Sequence, residues 1–127
     1  CADSSMISGF LNSELCGRMM NADEIYREKK FLVKISDLNL DDSDLMVYNS
    51  TEGMLQGVAD CVFREGGKYV LLDYKTDRRV TEDILRERYS RQLSLYARAL
   101  SMIFGEKISE GCLYSFSLGK AIGIELK

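Results

Sequence analysis

At 127 residues and 46% hydrophobic content the chain can bury one core and is too short for two well-packed domains. Its 17 basic and 20 acidic side chains leave a net charge of −3, which argues against a domain that coats duplex DNA through bulk positive charge, so any nucleic-acid contact has to be local. No apolar run approaches the roughly 20 residues that cross a bilayer, and the N-terminus lacks the basic-then-apolar layout of a signal peptide, so a soluble cytoplasmic protein with no membrane partner is expected.

The chain opens on Cys1 rather than Met, and the expectation is a single domain over 1–127 taken from a larger protein. Cys1, Cys16, Cys61 and Cys112 are scattered singly, with no CxxC pair and no histidine to complete a zinc set. Buried free thiols are the plain reading, against a metal or iron-sulfur site. The absence of proline disfavours a linker or a disordered tail.

In chain order, Ile7, Phe10, Leu11, Leu15, Met19 and Met20 recur at spacings of three and four, which predicts one amphipathic helix over Ile7–Asn21 with Ser8 as its cap. Ile25–Ile35 reads as a strand interrupted by the charged run Arg27–Lys30. Asp37–Thr51 is acidic and polar, a loop with room for a short helical turn. Met54–Arg64 and Lys68–Thr76 read as antiparallel strands joined at Glu65-Gly66-Gly67, where glycines suit the positive backbone angles of a tight hairpin.

Thr81 before Glu82 and Asp83 starts a long helix whose stripe is Ile84, Leu85, Tyr89, Leu93, Tyr96, Leu100 and Ile103, ending at Gly105. Gly111–Phe116 and Ala121–Leu126 close the chain as two short strands around Leu118-Gly119-Lys120. The order αβββαβ, with one or two strands at the end, predicts an α/β fold with a mixed central sheet flanked by helices.

Chemistry is concentrated in two of these strands. Tyr69–Leu72 is apolar, and then Asp73 and Lys75 appear two apart, a spacing that puts both on one face of a strand while Tyr74 turns to the other. A local ion pair at the strand end is the plain alternative. Asp60 lies among apolar neighbours on the preceding strand, so a hairpin brings it beside Asp73. Two partly buried carboxylates repel unless a proton or a cation sits between them, and a hard divalent ion such as magnesium, which takes oxygen ligands, resolves the conflict. Such an ion polarises a phosphodiester and lowers the pKa of bound water, and a lysine beside it can orient the water or neutralise charge growing on the phosphoryl oxygens. Together the three residues favour a hydrolytic phosphodiester site.

Gln92 and Tyr96 lie four apart within the helix face expected to pack on the sheet. A core amide satisfied by its surroundings, and a role in holding DNA or orienting the catalytic strand, are both open for them. The run Arg78, Arg79, Arg86, Arg88, Arg91 and Arg98 is either a solvated helix face or a phosphate track.

Three segments taken together resemble the PD-(D/E)XK nuclease superfamily, restriction endonuclease-like in fold, and within it the RecB-type branch. Gly57-Val58-Ala59-Asp60 is similar to that branch's metal-binding aspartate strand, Asp73-Tyr74-Lys75-Thr76 to its acid-x-lysine strand, and Gln92-Leu93-Ser94-Leu95-Tyr96 to its glutamine-x-x-x-tyrosine helix. Phe10–Arg18 and Tyr26–Phe31 resemble the segment that enters this domain in AddA-like helicase-nucleases. The resemblance implies a magnesium- or manganese-dependent exonuclease of DNA, working on single-stranded ends behind ATP-driven helicase domains of the same chain, beside an AddB-like subunit, in double-strand break repair and recombination. By the same route Asp60, Asp73 and Tyr74, with backbone carbonyls among the donors, form the metal set; Asp73 and Lys75 are the catalytic pair, and Gln92 and Tyr96 are further site residues. Glu28 matches a recurrent glutamate without an assigned role.

RecB-type sites take another metal ligand, commonly histidine, from a helix upstream, and this chain has no histidine. The chain by itself is therefore expected to hold its metal weakly and to cut weakly or not at all. No Walker A loop is present, which places the motor elsewhere. The rival from another class is a degenerate, noncatalytic module that keeps the fold for DNA or protein binding; a stand-alone restriction-type enzyme would need a reading element that is not visible.

Overall fold

The structure, a computed structural model, describes residues 4–38 and 53–126. Helices α1 (Ser4–Leu11) and α2 (Glu14–Met20) lead into strand β1 (Glu24–Lys34) and a short 3-10 turn over Ile35–Leu38. Strands β2 (Met54–Glu65) and β3 (Lys68–Lys75), helix α3 (Glu82–Phe104) and strands β4 (Ile108–Ser115) and β5 (Lys120–Ile124) follow. The five strands lie in the order β1-β2-β3-β4-β5, with β3 and β4 parallel and every other pair antiparallel. This is the mixed sheet with flanking helices that the pattern predicted. Most of the loop expected over Asp37–Thr51 lies outside the described residues.

Helix α3 covers one face of the sheet, where Leu85, Leu93 and Leu100 meet Val62, Leu71, Leu113 and Ile122. Helices α1 and α2 cover the other, where Phe10, Leu15 and Met19 meet Cys61, Phe63, Val70, Leu72 and Tyr114. Strand β3 is thus buried from both sides, which is why Tyr69–Leu72 reads as an unbroken apolar run rather than an alternation. Each Leu or Phe so buried is worth about 1.5–3 kcal/mol relative to exposure.

The hairpin turn is as expected. Gly66 and Gly67 have φ of 57° and 79°, and Glu65 faces Lys68 across a two-residue loop. Helix α3 is capped as predicted, with the Ile84 N–H donating to the Thr81 hydroxyl at 3.2 Å and Gly105 left-handed at φ 69°.

Several expectations are corrected. The single helix over Ile7–Asn21 is two, because Ser13 caps a new start by accepting from the Cys16 N–H at 3.1 Å, and Ser8 sits inside α1. Of the expected stripe, Phe10, Leu15 and Met19 pack on the sheet, while Ile7, Leu11 and Met20 are exposed. Strand β1 is not interrupted at Arg27–Lys30. Glu28 adopts φ 50°, and this left-handed residue re-phases the strand. Before it Tyr26 faces α3, tilted on Phe104, and after it Lys29 and Phe31 do, an odd-numbered set replacing an even one. Ile84 and Ile103 are exposed rather than part of the packed stripe. The last two strands begin earlier than expected, at Ile108 and Lys120, and the last ends earlier, at Ile124.

Candidate active site

The pairing of β2 with β3 runs from Glu65↔Lys68 to Cys61↔Leu72 and stops there. Beyond that point β2 stays paired with β1, and β3 stays paired with β4 as far as Lys75↔Ser115. The two strands therefore part at Asp60 and Asp73. The Asp60 carboxylate fills the gap, its Oδ2 accepting from the Tyr74 N–H at 2.9 Å and so standing in for a lost ladder bond.

Alternation along β3 does the rest. Tyr69 and Leu71 face α3, so Asp73 and Lys75 do as well, and Lys75 Nζ lies 2.8 Å from Asp73 Oδ2. The Lys75 and Asp73 side chains are largely shielded, at 17% and 22% exposure, which is enough to make desolvation matter. Burial pushes the Asp73 carboxyl up to about 6, the neighbouring Asp60 carboxyl adds to the rise, and Lys75 pulls against it. The expected juxtaposition of Asp60, Asp73 and Lys75 is thus present in the structure.

Tyr74 needs a distinction that the sequence did not draw. Its ring packs edge-on against Phe10, 5.3 Å between centroids, on the α1–α2 side, where burial drives its phenol up to about 12. The side chain thus lies on the other face from Asp73, although the Asp60 charge still adds to the rise of its phenol. Its backbone lies beside the carboxylates, because the N–H already reaches Asp60, and the carbonyl of a strand residue leaves on the same side as its N–H.

Helix α3 closes the site from above. Tyr89 places its ring 3.9 Å from Lys75 Nζ, and Tyr96 packs edge-on against Phe31 at 4.8 Å. Gly57 permits that approach, since a Cβ there would stand 2.6 Å from Phe31 Cζ and 2.9 Å from Tyr96 Cζ. Gln92, half-buried, falls on the same helical line as Tyr89 and Tyr96, between the turn that meets β3 and the turn that meets β1 and β2.

Sequence reasoning missed Asp77 and assigned Tyr89 only to the apolar stripe. The Tyr89 hydroxyl donates to Asp77 Oδ2 at 2.8 Å, and Arg88 donates to the same oxygen at 2.6 Å. Burial opposes ionisation of Asp77, but these two bonds outweigh it and hold the carboxyl below its usual range. No local signal links residues 11 and 12 apart across a turn; the grouping exists only once α3 docks.

The arginine run divides rather than forming one track. Arg86 meets Glu82 at 3.4 Å and the Gly123 carbonyl at 3.2 Å, Arg88 meets Asp77, and Arg91 and Arg98 are also engaged. Arg78 and Arg79 are exposed in the turn after β3, Arg79 with φ 57°. Cys16, Cys61 and Cys112 are free and buried, and burial pushes the thiols of Cys61 and Cys112 up to about 11, as structural thiols require. Cys1 lies outside the described residues.

A divalent cation would find Asp60, Asp73 and the Tyr74 carbonyl as neighbouring oxygen donors, and this donor set fits a hard ion: burial and mutual repulsion are the strain on Asp73 that a cation relieves. Among the described residues no group of three or more His, Cys, Asp or Glu side chains gathers to hold a metal, so these donors supply only part of an octahedral shell. Also among the described residues, no helix is long and apolar enough to cross a membrane.

The chain is similar in sequence to several known proteins. Over 125 residues the chain is 41% identical to the A-type subunit of the ATP-dependent helicase/nuclease of Acetivibrio thermocellus, a match covering 95% of this chain and 10% of that protein. It is 38% identical over 120 residues to the protein of the same name from Clostridium botulinum, covering 91% of this chain and 10% of the relative, and 36% identical over 109 residues to that of Clostridium kluyveri, covering 85% and 9%. The chain thus spans about a tenth of the length of the curated relatives it matches. The sequence pattern of the PD-(D/E)XK nuclease superfamily matches residues 11–121, and the chain belongs to that superfamily.

Proposed function

We propose that this chain is a single nuclease domain, part of a longer AddA-like helicase-nuclease, and that it hydrolyses DNA phosphodiester bonds at the parting of β2 and β3. The observation that carries the reading is the convergence there of Asp60, Asp73 and Lys75, with Lys75 Nζ 2.8 Å from Asp73. Nucleases of this superfamily generally use divalent metal ions. The ion here is Mg2+, with Mn2+ as a substitute, held by Asp60, Asp73 and the Tyr74 carbonyl. When bound it supplies Lewis acidity toward the scissile phosphodiester and a more acidic bound water.

The chain's own residues do the remaining work. Asp60 and Asp73 would hold the ion at the strand ends, where its charge would offset their mutual repulsion. Lys75, close beside Asp73, orients the attacking water and offsets negative charge that builds on the phosphoryl oxygens. Gln92 and Tyr96, on the helix above, hold the substrate strand in line with that water. The domain acts as an exonuclease on single-stranded ends delivered by helicase domains of the same protein, in the cytoplasm, beside an AddB-like subunit, in double-strand break repair and recombination. Detached from the longer protein it holds magnesium weakly, because two carboxylates and a carbonyl leave the rest of the shell to exchangeable water.

The test uses the full-length protein. Asp73→Ala or Lys75→Ala reduces DNA degradation by about 100-fold or more, while ATP-driven unwinding persists. Unchanged product lengths on gels in both variants would refute the assignment and leave a noncatalytic module as the better reading.

A further inference from the structure

We infer that Tyr89 is a positioning residue for Lys75: its ring is the seat that holds the ammonium at the site, and Asp77 with Arg88 anchors that seat. This rests on the nuclease reading above. The Lys75 ammonium has two neighbours of opposite kind, a carboxylate oxygen of Asp73 at 2.8 Å and the Tyr89 ring with its centroid at 3.9 Å. The second contact is well inside the distance of about 6 Å at which a cation is drawn to an aromatic face.

The ring is not free to turn. Its hydroxyl donates to Asp77 at 2.8 Å, and Asp77 is fixed in turn by Arg88 at 2.6 Å. Asp77 follows Lys75 by two residues, just past the end of β3, and Tyr89 and Arg88 are on α3. The group therefore ties the end of the strand that carries Lys75 to the helix above it. Burial raises the Tyr89 phenol above its usual range and the bond to Asp77 raises it further, so the hydroxyl remains a donor near neutral pH.

The need for a second seat follows from the chemistry proposed for Asp73. A carboxylate whose oxygens are drawn to a divalent cation is a poorer partner for an ammonium, and the same cation repels the ammonium directly. With only Asp73 to hold it, Lys75 would swing out to solvent, where four rotatable bonds and full hydration favour it. The Tyr89 face keeps the charge in place without offering an oxygen that competes for the cation. A ring also costs little to desolvate, unlike a second carboxylate, which would add to the repulsion already raising Asp73.

The test compares Tyr89→Leu and Tyr89→Phe in the full-length protein by steady-state DNA cleavage and by acetylation of Lys75 followed by mass spectrometry. Tyr89→Leu removes the seat, so kcat falls by about tenfold or more with KM for DNA little changed, and Lys75 acetylates several-fold faster in the presence of Mg2+ and the absence of DNA. Tyr89→Phe keeps the ring and loses the anchor, so both its rate and its protection fall between those of the unchanged protein and those of Tyr89→Leu. Unchanged kcat and unchanged acetylation in Tyr89→Leu overturn the inference. A raised KM with kcat kept means that Tyr89 touches DNA instead, and a loss in Tyr89→Phe equal to that in Tyr89→Leu assigns the effect to the hydroxyl; either outcome overturns the seat. Lys75→Ala is the reference: if it still cuts like the unchanged protein, the nuclease reading fails at this site, while the acetylation rates still decide whether Tyr89 holds Lys75.

Discussion

The β2–β3 hairpin has one closed end and one open end, and the contrast between them shows how a buried sheet makes room for charge. At the closed end Gly66 and Gly67 turn the chain in two residues, the strands stay paired from Glu65↔Lys68 to Cys61↔Leu72, and Arg18 reaches from α2 to bridge Glu65 and Glu110 at 2.9 and 2.8 Å. At the open end the ladder stops after Cys61↔Leu72, and a side chain, Asp60, takes over a hydrogen bond that a backbone carbonyl would otherwise accept. The candidate site is thus created by unpairing two strands whose other neighbours hold them in place. Stability resides at one end of the hairpin and electrostatic strain at the other.

The sharpest way to break this contrast is Asp60→Asn. The amide oxygen still accepts from the Tyr74 N–H, so the strands keep their spacing and the melting temperature changes little, but the charge is gone. Cleavage by the full-length protein should fall by about 100-fold or more. A large loss of melting temperature would show instead that the charge itself holds the strands apart.

Gly67→Val tests the closed end. A β-branched residue forced to φ 79° costs roughly 1–2 kcal/mol. Denaturant unfolding should show that loss, while kcat per folded molecule stays the same. A parallel fall in kcat would mean that the turn and the site are coupled along the hairpin.

A third effect is a pH dependence at the open end. Asp73 is raised from 3.8 to about 6 in the folded chain, so between those values the native state holds a proton that the unfolded state has released. Its contribution to stability is present below about 4 and lost as pH rises through about 6. Without divalent metal, Asp73→Asn should therefore gain in melting temperature relative to the unchanged protein as pH climbs over that interval, and a difference that stays flat contradicts the strain assigned to Asp73.

What was legible in the sequence follows the same division. Gly66-Gly67, the Thr81 cap and Gly105 are local signals, and each marks its element where the structure has it. Asp60, Asp73 and Lys75 were legible because strand alternation and one hairpin suffice to bring them together. Ser13 and Glu28 were not, since the apolar spacing runs past Ser13 without a gap and the charged run around Glu28 hides the change of phase. Tyr89 escaped because its polar partners come from docking of α3 on the end of β3, a long-range arrangement that no spacing encodes. Tyr74 was legible as a neighbour of the site but not as a residue whose ring and backbone serve opposite faces.

The buried thiols have a use beyond packing. Cys61 follows Asp60 directly and is buried with Phe63 and Leu72, and burial pushes its thiol well above the usual range, so the reactive thiolate is scarce at neutral pH. Alkylating reagents therefore see it only when the sheet opens. Cys61 is in effect a native stopwatch for excursions of the strand that presents Asp60, timing how often the carboxylate leaves its post without any label being introduced.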